Sequence, residues 1–152
     1  MLACACTAAF TLACAADGTS PPPVVSYSAT LTGAHEVPVV VTPASGTAGF
    51  MLIGTTITYT IATTGFSSPL TVAHVHLGGA GETGPVIVPF SLSAQSGTVA
   101  TGAIDVGAPV TFGNITISGD SLLRLFEGGK AYVNLHTAGF PGGEIRGQVV
   151  RR

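Results

Sequence analysis

From Val25 the chain alternates, with Val25, Tyr27, Ala29 and Leu31 on one side of an extended segment and Ser26, Ser28, Thr30 and Thr32 on the other. Successive side chains of a strand point to opposite faces, so this pattern predicts a strand buried on one side only. "GTAGFMLIG" and "TTITYTIATTG" predict two more, joined by a turn near Gly54, with Ile57, Tyr59 and Ile61 facing the core. Further strands are expected at Leu70 to Leu77, Pro85 to Phe90, Thr98 to Ile104, Ala131 to His136 and Glu144 to Val150, each bounded by Gly, Pro or Ser clusters. One segment breaks the period of two. "SGDSLLRLFEGGKAYV" sets Leu122, Leu123, Leu125 and Phe126 at helical spacing, with Ser118, Asp120 or Ser121 to cap the start and Gly128 to stop it. The expected fold is all-β: an antiparallel Greek-key sandwich or barrel of seven or eight strands with one short helix.

The first residues follow neither period. "MLACACTAAFTLAC" is an apolar run that reads as an export signal over residues 1–14, and "TLAC" resembles a lipobox whose Cys14 is the expected lipid attachment site. Cleavage after "ACA" at Ala13 to Ala15 is the alternative, giving a freely secreted protein. Residues 15–24 form a polar, proline-rich tether, and residues 25–152 form the domain. All three cysteines precede residue 15, so no disulfide staples the domain. The expected location is extracytoplasmic, with membrane contact only through a lipid anchor.

Charge changes the picture by exclusion. Only 8% of the residues are charged and the net charge is -2, so the chain lacks the basic footprint that a nucleic acid requires. No apolar stretch after the leader approaches the ~18 residues of a spanning helix. There is no GxSxG elbow, no P-loop and no thiol in the domain, and four scattered glutamates do not by themselves make a glycosidase pair. "GGAGETG" follows a strand with no helix after it, which removes a phosphate-cradling role.

Against this background four histidines stand out. In "TVAHVHLGGAGETGPVIV", His74 and His76 lie two apart on a predicted strand, so their rings share one face with Val72, about 6.7 Å apart along the chain. Ala73, Val75 and Leu77 are expected on the core side. Two neutral imidazoles side by side can converge on one cation, and imidazole suits copper and zinc. A third ligand is offered by "KAYVNLHTAGFPGGEIRGQVV". With Val133 and Leu135 inward, Tyr132, Asn134 and His136 face out, and simple antiparallel register sets them beside Gln148, Arg146 and Glu144. Glu144 is then expected to orient the His136 ring, with Arg146 and Asn134 as supporting neighbours and Arg146 drawing an anion toward the open position. His35, near a strand end, is expected to serve the surface.

Four ordered segments, "LTGAHEVPVV", "AHVHLGGAGETGPVIV", "LFEGGKAYVNLHT" and "GEIRGQV", together resemble the CHRD domain, a module of chordin and of many bacterial secreted proteins. The resemblance spans about Tyr27 to Val150. It implies a β-sandwich acting as a binding module, and it carries the family's recurring histidines onto His74, His76 and His136. A looser similarity is to copper/zinc superoxide dismutase, where an HVH strand before a Gly-rich loop supplies copper ligands. Four histidines are too few for both metal sets of that family, and its internal disulfide is missing. The expectation is therefore an exported binding module with a copper or zinc ion on His74, His76 and His136. The alternatives are a metal-free structural or adhesive domain contacting an extracellular protein or glycan, and a dismutase-like copper enzyme.

Overall fold

The computed structural model describes residues 20–152. The first strands are β1 (Val24–Thr32), β2 (Ser45–Ile53), β3 (Thr56–Thr64), β4 (Leu70–Leu77), β5 (Val86–Phe90) and β6 (Gly97–Asp105). A small hairpin, β7 (Val110–Phe112) and β8 (Ile115–Ile117), precedes the helix α1 (Gly119–Glu127). Then follow β9 (Ala131–Thr137), β10 (Ile145–Gln148) and β11 (Val150–Arg151). Eight strands form one antiparallel, nearly closed sheet in the order β5-β4-β9-β10-β1-β2-β3-β6, with β11 added beside β1. The chain crosses over the barrel between β3 and β4 and again between β6 and β9, and this Greek-key routing brings β4 and β9 together although about sixty residues separate them. The leader and Cys14 lie outside the described residues.

The alternation read in β1 and β3 holds. Tyr27, Ala29, Leu31, Ile57 and Ile61 are all buried, while Thr30, Thr56, Thr58 and Thr60 are exposed. The helix caps one end of the barrel. Ser118 is its N-cap, with Oγ accepting the Ser121 amide, and Gly128 ends it. Leu122 and Phe126 point inward, where Phe126 meets Tyr27 at 5.4 Å and Phe50 at 5.2 Å between ring centroids, edge to face. Edge-on packing lets the rim of one ring meet the electron-rich face of another.

Two elements depart from the sequence expectation. The β7–β8 hairpin has strands of three residues around Gly113 at φ +57°, too short for a period of two to register. Leu77 is exposed rather than in the core: it is the last residue of β4, beyond an irregularity between Val75 and His76, where its amide bonds to the Pro85 carbonyl at the barrel rim.

Candidate functional site

The outer face of β4 and β9 holds the histidines. His74 pairs with Asn134 and His76 with Tyr132 across the ladder, and Val72 with His136, so the three rings form a triangle on one surface. Their centroids lie 5.6 Å (His74–His76), 5.4 Å (His74–His136) and 6.0 Å (His76–His136) apart. Each ring offers one nitrogen within 4.8 Å of the other two.

Backbone carbonyls fix two of the tautomers. His76 Nδ1 lies 2.9 Å from the Gly84 oxygen and His136 Nδ1 lies 2.9 Å from the Pro141 oxygen. A carbonyl only accepts, so each Nδ1 carries the proton and each Nε2 keeps its lone pair. The Nε2 atoms of His76 and His136 and the Nδ1 of His74 are buried and have no hydrogen-bond partner among the described residues. Three unpartnered ring nitrogens, those of His76 and His136 fixed as acceptors, thus lie in one cluster where a shared electrophile would satisfy them.

Burial reinforces the neutral state. His74 is pushed down to about 4, first by burial and then by its two histidine neighbours. Burial also lowers His76 and His136, against the opposing hydrogen bonds to Gly84 and Pro141. At neutral pH all three rings are therefore uncharged, each with one nitrogen lone pair available. The Phe112 ring of the β7–β8 hairpin lies 5.9 Å from the His74 ring and walls one side of the cluster.

The loop between β4 and β5 is held from several directions. Gly84 donates its amide to Tyr132 Oη while its carbonyl accepts from His76. A Cβ at Gly84 would overlap the Leu77 carbonyl, so only glycine lets the loop return this close to its own strand. Gln148 Nε2 donates to the Gly78 oxygen and Arg146 Nη2 to the Gly79 oxygen. Tyr132 lies flat on the His76 ring, 4.9 Å between centroids at 12°, and the Arg146 guanidinium covers its other face at 3.4 Å.

The β9–β10 register is the one expected from sequence, with Asn134 opposite Arg146 and Tyr132 opposite Gln148. The role expected of Glu144 is corrected. Its backbone continues the ladder by donating to Leu135, but its carboxylate accepts from Thr42 Oγ1 at 2.6 Å and Thr137 Oγ1 at 2.5 Å, fully buried, while His136 is oriented by Pro141 instead. Gly143, at φ +124°, turns the chain between the two sites. Arg146 is also reassigned: it stacks on Tyr132 and bonds the β4–β5 loop, one strand removed from the histidines, rather than facing an open position among them. Asn134 sits between them, its Oδ1 buried and without a partner. His35 lies in a 3-10 turn (Gly33–His35), exposed, with Nδ1 3.3 Å from the Arg146 carbonyl, apart from the other three. Sequence reasoning did not find Gly84 and Pro141, because a backbone carbonyl leaves no signature of its own; nor did it give Phe112 or Glu36 a role.

No helix among the described residues is long and apolar enough to cross a membrane. Comparison with curated proteins and with solved structures gave no match. The family comparison did: the profile described as "CHRD domain" matches residues 27–149, from the core tyrosine of β1 to the residue after β10. A match over that much of the chain, with all three clustered histidines inside it, makes the protein a member of the CHRD domain family.

Proposed function

We propose that this CHRD domain is an extracytoplasmic binding module that holds one copper or zinc ion between His74 Nδ1, His76 Nε2 and His136 Nε2. The observation that carries it is the coincidence of three buried, unpartnered imidazole nitrogens in one cluster, two of them held as acceptors by hydrogen bonds on the far side of the ring. Nitrogens around one ion at ~2.0 to 2.1 Å lie about 3.4 to 4.2 Å apart, so ring adjustments on the order of an ångström complete the closure. Hydrogen bonds from the opposite nitrogens of His76 and His136 to fixed carbonyls are the support that liganding imidazoles usually have. Three nitrogens leave at least one position open for water or an exogenous ligand. Neutral nitrogen donors suit copper first and zinc second.

The test uses protein purified without an affinity tag and stripped with chelator. Titration with Cu(II) or Zn(II) should give one bound equivalent per chain and a higher thermal midpoint, since a ligand held only by the native state stabilises it by about 2.7 kcal/mol at a hundredfold excess over Kd. The double variant His74→Ala/His136→Ala should lose both effects. Binding far below one equivalent, or undiminished in the double variant, would overturn the proposal in favour of a metal-free adhesive domain.

A further inference from the structure

A second feature lies on the other side of Tyr132 from the histidines. The 3-10 turn with the loop that follows it, Ala80 and Gly81, and β10 line a cleft of about 540 Å3, within the range of small-molecule sites. Val37, Pro38, Val39 and Ala80 line its walls, and Val37 and Val39 remain 40% and 66% exposed. Arg146 and Glu36 also line it, although they are only 2% and 5% exposed.

The buried guanidinium is the anomaly. Within 4.0 Å the ion pairs among the described residues are Lys130–Glu82 and Arg151–Glu127, so Arg146 makes no salt bridge there, and the carboxyls of Glu36 and Glu82 act on it only from a longer distance. Tyr132 covers one face and the Gly79 carbonyl takes one N–H of the five that a guanidinium carries. Burying a charge without a counter-ion is costly, and a ligand that supplies one recovers that cost. A cationic ligand would be repelled, and a neutral one would leave the charge uncompensated. Glu36 does not oppose an anion in the neutral form, because burial holds its proton up to about 7 despite Arg146. A protonated carboxyl there is a donor that an incoming carboxylate can accept from.

We propose that this cleft binds a small monocarboxylate, its carboxylate on Arg146 and its hydrocarbon along Val37, Pro38 and Val39. The site is independent of the metal, so it is tested on chelator-stripped protein, where failure of either idea leaves the other standing. Butanoate, hexanoate and octanoate are titrated in turn into the 15N-labelled full chain. Amide shifts should concentrate at Glu36 to Val39 and at Ala80, Gly81 and Arg146, with affinity rising about two- to fourfold per added methylene as apolar surface is covered. Hexanol and hexylammonium should bind at least about tenfold more weakly than hexanoate. Arg146→Met should bring hexanoate down to the level of hexanol. Should that variant fail to fold, Ala80→Phe blocks the cleft from an exposed position and should abolish the shifts with Arg146 intact. N-acetyl-valine separates the carriers of the carboxylate: tighter binding than hexanoate names a peptide C-terminus, weaker binding a free alkyl acid. Equal affinity for hexanol and hexanoate, tighter hexylammonium, shifts elsewhere on the barrel, unchanged binding in Ala80→Phe, or no shifts at about 10 mM acid would overturn the proposal.

Discussion

The outer faces of β3 and β9 began from similar expectations and ended differently. Along β3, Thr56, Thr58 and Thr60 face water between buried Ile57, Tyr59 and Ile61. Along β9 all seven residues are buried, the outward Tyr132, Asn134 and His136 as well as the inward Val133 and Leu135. The sheet is the same and so is the parity. Both strands are flanked on either side in the sheet, so the difference is what lies over them: the β4–β5 loop and the Phe140–Gly143 turn fold back over the outer face of β9 and bond to it. Strand periodicity decides which side a residue takes; returning loops decide whether that side stays wet. Chemistry collects on the covered side because polar groups removed from water must be satisfied locally or by a ligand.

That contrast can be broken most severely at Glu144, the buried carboxylate that ties Thr42, in the segment before β2, to Thr137 at the end of β9. Glu144 accepts two hydroxyls while fully buried, and hydrogen bonds to charged groups contribute about 1.5 to 3 kcal/mol each, so Glu144→Ala should destabilise the domain by about 3 kcal/mol. A drop in the urea midpoint is the readout; a variant within experimental error of the parent would mean that the loops hold without it. The next largest effect is expected at Tyr132. Tyr132→Ala removes the ring between Arg146 and His76, and should cost about 2 to 3 kcal/mol while weakening metal retention, checked by chemical denaturation and competition with a chelator.

The two ionisable regions of the covered side should also respond to pH in opposite senses. The histidines of the metal-free protein titrate below their unfolded value of 6.5, so the unfolded chain takes protons first and stability falls as pH drops from about 6.5 toward 4. Glu36 titrates above its unfolded value of 4.5, so its favourable contribution is complete below 4.5 and is lost as pH rises through about 7. Between about pH 4.5 and 7 the stability of Glu36→Gln should therefore climb more steeply with pH than that of the parent, and between 4 and 6.5 that of His74→Ala less steeply. Thermal midpoints across that range decide it; parallel profiles for Glu36→Gln and parent would show that the carboxyl is not held protonated. The smallest effect belongs to the bare face. Thr58→Ala should move stability by no more than about 0.5 kcal/mol, and a larger loss in the urea midpoint would reveal a partner contact on β3 that the fold does not display.

How much of this was legible in the sequence follows the same division. The strands with long alternation, the helix with its Ser118 cap, and the pairing of Asn134 with Arg146 could be read because each follows from local periodicity and one antiparallel register. The grouping of His74, His76 and His136 was legible only through strand parity combined with family resemblance, since nothing local ties β4 to β9. The partners of the rings were not legible. A carboxylate two residues from a turn looks like the natural partner for His136, yet the turn at Gly143 directs Glu144 to Thr42 and Thr137 and leaves a proline carbonyl in its place. Short-strand elements such as β7–β8 lie below the length at which a pattern can be told from chance, so Phe112 was invisible as a neighbour of His74.

Gly84 touches two members of the stack through its own main chain, steering one imidazole with its oxygen and one phenol with its nitrogen. Peptide groups are common to every residue type, so an exposed letter of the loop such as Thr83 is free to drift without turning either ring. The number of residues between His76 and Gly84 has no such freedom: one insertion or deletion there would carry the carbonyl away and let the imidazole spin, which makes segment length, rather than composition, the trait that selection and protein engineers must preserve.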